Sequence, residues 1–215
     1  MSEGEAGMKA KRVGVLAIAV ALVAVGTEAE AQGFRVRPWI GMYAPTSELG
    51  SVQAVEFGKK ESTLAYGAAL EFGQADRFLN FRFDAAYATS SDVPIADVGC
   101  AACELRSTVL TATGAVVIRP FPLPAIRPYA VVGAGAKWYD FEFGNGTVDF
   151  IEDQTKFTAM GGLGVTLFPG GPLSLFAELT DYMSGFDFDS NDFDGADSQH
   201  DLFFKAGLSI GIGPR

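Results

Sequence analysis

One stretch near the end of the chain gathers the side chains from which a metal site or a catalytic dyad is built: GFDFDSNDFDGADSQHD, residues 185–201. Hard oxygen ligands recur at Asp187, Asp189 and Asn191, followed by Asp192 and Asp194. This partly echoes a calcium loop, but the glycine and closing glutamate of an EF-hand are displaced and no helices flank it. The expectation is therefore no resident cofactor, and at most weak, calcium-like divalent binding in a loop. His200, the only histidine, stands beside Asp201, with Ser198 and Ser209 near in sequence, so the parts of a Ser-His-Asp set are present. A lone loop histidine next to an acid is far more often simply solvated. No G-x-S-x-G, H-E-x-x-H or phosphate loop occurs, and an enzyme is not expected.

The second constellation is CAAC, with Cys100 and Cys103 as the only cysteines. In an exported chain a disulfide closing a very small ring is the first reading. Free thiols are the second. Zinc is the third, and it would need two further ligands where only one histidine exists.

What positions these residues depends on the rest of the chain. Formal net charge is −10, which argues against nucleic-acid binding, since phosphate neutralisation needs a basic face. The start reads as an export signal: Lys9, Lys11 and Arg12, then the apolar run VGVLAIAVALVAV, then TEAEA. That run is shorter than the roughly 20 residues that cross a bilayer, so cleavage after Ala31 is expected. Residues 32–215 then form one domain with 13 basic and 22 acidic side chains.

Helical periodicity is absent from this domain, and period two recurs in eight blocks of about ten residues. They are FRVRPWIGMY, TLAYGAALEFG, FLNFRFDAAYA, STVLTATGAVVI, RPYAVVGAGAKWY, KFTAMGGLGVTLF, LSLFAELTDYM and LFFKAGLSIGIG. The fourth block offers two faces that are hard to rank. In most others one face is apolar and the second mixed, and Glu71, Arg82, Asp84, Lys137, Glu178 and Lys205 all fall mid-block on the mixed face. Both signs are present, so these six can pair with one another inside a narrow barrel.

The connections alternate. QADR, RPFPLPAI and PGG are short; between them lie four long segments, one holding the cysteines and two strongly acidic. All four long connections therefore fall at one end, as in outer-membrane barrels with short periplasmic turns and longer outer loops. The expectation is an all-β, eight-stranded, antiparallel up-and-down transmembrane barrel preceded by a cleavable signal peptide. Eight strands leave an interior just wide enough for side chains to fill. In the acidic fourth loop, Phe186, Phe188 and Phe193 alternate with acids, so the last two strands are expected to continue above the membrane as a ribbon.

RPWIGMYAPT, RPYAVVGAGAKW, GGLGVTLFP, LFAELTDYMSGF and HDLFFKAGLSIGIG together resemble the small bacterial outer-membrane β-barrels, the OmpA/OmpX-like barrel domains. The resemblance covers residues 32–215 and departs at the end, where GIGPR replaces the usual terminal aromatic, and no peptidoglycan-binding domain is expected after the barrel. It implies a non-enzymatic monomer in the outer membrane of a Gram-negative-type bacterium. Its partners would be membrane lipid, the barrel-assembly machinery during biogenesis and an unidentified surface partner. Envelope structure or surface interaction through the acidic loops is the expected function. A soluble exported barrel holding an apolar ligand and a small pore are the alternatives.

Overall fold

The computed structural model describes residues 33–46, 48–52, 55–59, 61–73, 77–93, 95–96, 105–121, 123–143, 154–185, 193–194 and 198–212. The export-signal reading, on residues 1–31, and the Cys100/Cys103 pair lie outside them.

The described residues form twelve strands: β1 (Phe34–Pro45), β2 (Glu48–Val52), β3 (Val55–Lys59), β4 (Thr63–Phe72), β5 (Leu79–Val93), β6 (Ile95–Ala96), β7 (Leu105–Ile118), β8 (Ile126–Phe143), β9 (Gln154–Leu167), β10 (Leu173–Ser184), β11 (Phe193–Asp194) and β12 (Gln199–Ile212). Eight of them close a barrel in the order β1-β12-β10-β9-β8-β7-β5-β4, and β4 pairs back onto β1. Every pair is antiparallel, so no edge of the barrel is left unpaired. The shortest barrel strand, β4, has 10 residues, enough to cross a hydrocarbon layer when tilted. The 18-residue β8 extends well beyond that at the loop end.

The three short connections, after β4, β7 and β9, share one end. They are laced together by backbone bonds from Arg119 N to Phe78 O (2.8 Å), Phe168 N to Ala125 O (2.9 Å) and Gly211 N to Pro172 O (2.7 Å). Gly73 opens the first turn at φ 122°, where a Cβ would also run into the Asn80 side chain.

The loop end holds structure that period-two reading of the blocks does not reveal. β11, β2, β3 and β6 form a second, four-stranded sheet, drawn from the first, second and fourth long connections. Its pairs include Phe193 with Val52 and Phe57 with Ile95. The expected ribbon above the last two strands is therefore corrected: β10 and β12 part at the Ser184–Gln199 pair, and Phe193–Asp194 crosses to the first loop. An isolated hairpin extension is marginal in water, and joining strands from three loops gives each a partner on the sheet.

Candidate functional site: the charged lumen

The alternation places two chemistries on opposite sides of each strand. Outside stand Phe157, Leu163 and Phe81, exposed to 73%, 70% and 67%, together with Ile40, Phe83, Leu175, Leu179 and Phe204. A soluble protein does not present apolar surface on this scale. On the adjacent inward positions, Arg37, Glu71, Arg82, Asp84, Lys137, Glu178, Asp201 and Lys205 are all buried. β7, whose faces the sequence left unranked, turns Ser107, Val109, Thr111, Thr113, Ala115 and Val117 inward. Valine and threonine sit on that face together, so hydropathy gives little contrast between it and the other.

The lumen charges are arranged in three tiers. In the middle, Arg82 grips Glu178 bidentately, Nη1 donating to Oε2 (2.6 Å) and Nη2 to Oε1 (2.9 Å). Lys205 Nζ lies 3.3 Å from Glu178 Oε1 and donates to Asp84 Oδ1 (3.2 Å) and to Tyr182 Oη (3.1 Å). Thr180 Oγ1 donates to Glu178 Oε1 at 2.8 Å, and Tyr182 Oη donates to Asp84 Oδ1 at 3.2 Å. Two cations thus face two carboxylates, with hydroxyls taking up remaining lone pairs, which is what makes burial of such a set tolerable.

Toward the loop end, Asp201 accepts from Lys137 Nζ (2.7 Å), Tyr43 Oη (2.8 Å) and Tyr139 Oη (2.9 Å). Phe203 separates this tier from the middle one, its ring 5.1 Å from both Tyr43 and Tyr182 and edge-on to Trp39 at 6.3 Å. Toward the turn end, Glu71 accepts from Arg37 Nη1 (2.8 Å), Arg119 Nη2 (2.6 Å) and Asn80 Nδ2 (3.3 Å). Arg37 Nη2 donates to Tyr129 Oη (2.8 Å), which donates in turn to Glu178 Oε2 (2.8 Å) and so joins two tiers. Gly164 is required here: a Cβ at that position would collide with the Tyr129 ring.

All six residues expected inside the barrel, Glu71, Arg82, Asp84, Lys137, Glu178 and Lys205, project into this network. Sequence reading missed Arg37, Arg119 and Asp201. Arg37 was legible in principle, since it alternates with Trp39, Gly41 and Tyr43 in β1. Arg119 follows β7 and looks like part of a turn, and Asp201 looks like the end of an acidic loop.

The His200–Asp201 dyad considered from sequence does not form. Neighbours in a strand point to opposite faces. Asp201 turns into the lumen, while His200 turns outward, its Nδ1 2.8 Å from Asp181 Oδ2 on β10. Ser209 projects into the lumen opposite Ser174, far along β12. Of the acidic stretch, Asp187, Asp189, Asn191 and Asp192 lie outside the described residues, and Asp194 is placed in β11.

A closed eight-stranded barrel with an apolar outside and an ion-paired inside is the fold of the small outer-membrane barrel proteins. Two solved structures share it. The outer membrane protein OprG from Pseudomonas aeruginosa matches with a TM-score of 0.50 at 13% identity, over 86% of this chain and 98% of that one. Neisserial surface protein A (NspA) matches with a TM-score of 0.50 at 12% identity, over 82% of this chain and 96% of that one. No family model and no curated protein matches the chain in sequence.

Proposed function

We propose that this chain is a non-enzymatic integral protein of the bacterial outer membrane, in which a plugged barrel anchors four long acidic loops at the cell surface. The observation that carries this reading is the inversion of the barrel. Phe157, Leu163 and Phe81 project outward, while Arg82, Glu178, Lys205 and Asp84 lie buried as hydrogen-bonded pairs within. Lipid satisfies the first set and not water, and the second set fills the lumen in which a soluble barrel would hold a ligand.

Loop sorting supports the orientation, with the turns toward the periplasm and the loops outward. The solved barrels of the same fold are named an outer membrane protein and a surface protein, which supports the location. The role follows from what the fold leaves available. With the lumen occupied, chemistry is confined to the loop sheet and the acidic segments around it, which suits envelope contact or surface interaction by a monomer.

Cell fractionation tests the reading. The protein is expected to stay with the membrane through carbonate extraction and to run faster on a gel before boiling than after. Tags in the four long connections should be reached on intact cells, and tags in the three turns should be protected. Release by salt or carbonate alone would overturn the proposal.

A further inference from the structure

The outer wall is not evenly filled. Where β1, β12, β10 and β9 run side by side, a groove of about 670 Å³ opens between Ile40, Met42, Leu163, Leu179 and Phe204. Sites for small molecules occupy roughly 300–1,000 Å³. The groove is deep because register sets Ala177 opposite Ala206, both exposed and neither reaching beyond its Cβ. The next outward row toward the loops pairs Leu179 with Phe204, and the next toward the turns pairs Leu175 with Leu208. Large side chains thus stand on both sides of a low strip. Glu178 and Lys205 also border the groove, but their side chains are buried in the lumen. Its lining is therefore apolar carbon and backbone already held in the strand ladder.

The wall changes character one outward position beyond Leu179, about 7 Å along β10, where Asp181 stands. Its carboxylate is 29% exposed and under-used. Oδ2 has His200 Nδ1 2.8 Å away, and Oδ1 has no hydrogen-bond partner among the described residues. An ionised carboxylate offers about four lone-pair sites. The register partner of Asp181 on β9 is Gly161, where an added Cβ would meet nothing within 4 Å, so there is room beside the carboxylate.

We propose that this groove binds one membrane lipid whose head group ends in a primary ammonium. An acyl chain lies over Ala177 and Ala206, and the ammonium donates to the Asp181 carboxylate. An apolar trench with an acceptor-rich anion one step beyond it, in line along β10, is the complement of an amphiphile. A primary ammonium supplies both charge and N–H donors to that anion. A quaternary ammonium supplies charge alone, and an anionic head group is repelled. The site rests on the membrane location proposed above and adds to it a preference for one lipid class.

The test uses the full chain refolded in a maltoside detergent, with folding verified by the heat-shifted gel band. It is offered equal amounts of phosphatidylethanolamine, phosphatidylcholine and phosphatidylglycerol with matched acyl chains, and retained lipid is counted by native mass spectrometry. One phosphatidylethanolamine per barrel, held about tenfold more tightly than the other two, is expected from a charge-assisted hydrogen bond. Asp181→Asn should erase the preference and leave weak, equal retention of all three. Ala177→Phe fills the groove with an apolar side chain, which the wall accepts, and should abolish retention. If that variant lacks the heat-shifted band, Ala206→Leu carries the same test. Ala85→Phe, the same change on β5 across the barrel, should retain lipid like the wild type. Equal retention of the three lipids by the wild type, or an undiminished preference in Asp181→Asn, overturns the proposal. So does a dimer that forms in place of lipid binding, which would assign the groove to a second copy of the chain. A failure of the membrane reading shows separately, as release from cell membranes by carbonate.

Discussion

The outer wall and the lumen are made from the same strands, one residue apart, and they tolerate change for opposite reasons. On the wall the side chains are exposed, and in the membrane setting proposed above Leu163, Phe157 and Leu179 need only be apolar. Shape matters little there because lipid chains adapt. In the lumen each charged group has specific partners on other strands at hydrogen-bond distance, and an apolar replacement of one partner strands the other. The wall is thus set by hydropathy alone, whereas the lumen is set by pairing, and this predicts different mutational behaviour at neighbouring positions.

The largest effect is expected at Glu178, which alone receives Arg82 bidentately, Lys205, Tyr129 and Thr180. Glu178→Gln leaves two buried cations with Asp84 as their remaining carboxylate. A loss of about 3–5 kcal/mol is expected, measured by reversible denaturant unfolding in lipid vesicles. Adding Arg82→Met to that variant should recover a large part of the loss, because the pair is then removed as a unit. Strict additivity of the two changes would show that the lumen is not organised by pairing.

On the wall the same logic reverses, and adding a charge is the damaging change. Leu163 sits near the middle of β9 beside Leu179 and Ala130. Leu163→Arg should cost about 2–4 kcal/mol in vesicles, the range for an arginine facing mid-bilayer. Because detergent packs loosely around a barrel, the cost should shrink in micelles. An undiminished cost there would point to a protein partner, not lipid, against this face.

A smaller effect tests the link between tiers. Tyr129→Phe removes the hydroxyl that accepts from Arg37 and donates to Glu178. The ring remains in the space that Gly164 leaves for it. The expected loss is about 1–3 kcal/mol, from two charged groups deprived of one partner each. Combining it with Glu178→Gln should cost less than the sum, since both changes remove the same bond.

How much of this was legible in the sequence divides along the same line. Period-two patterning suffices for strand count, the sorting of loops and the inward placement of Glu71, Arg82, Asp84, Lys137, Glu178 and Lys205, because those depend only on a residue's own neighbours. Pairing does not follow from local pattern. Arg82 and Glu178 stand 96 residues apart, on strands four pairings from each other around the barrel, and Lys205 and Asp84 stand 121 apart; their contact is set by the register of all the strand pairs between. The loop sheet was illegible for a related reason: β6 and β11 have two residues each, too few for any period to show. Arg119 escaped notice because it lies one residue beyond β7, where alternation has just ended, although its side chain continues the inward face.

The smallest effect separates two adjacent residues of β12. Asp201 is wholly buried with Lys137, Tyr43 and Tyr139 around it, while His200, one residue earlier, is 42% exposed on the outer face beside Asp181. A partly exposed hydrogen-bonded pair of that kind contributes about 0–1 kcal/mol. His200→Gln should therefore leave vesicle unfolding within about 1 kcal/mol of the wild type. Asp201→Asn strands the Lys137 ammonium in the lumen and should approach the cost of Glu178→Gln. If the two variants lose similar stability, the faces are not chemically separate at this level. The rim would then behave as one hydrated surface, and the barrier between wall and lumen would begin only at the Phe203 tier.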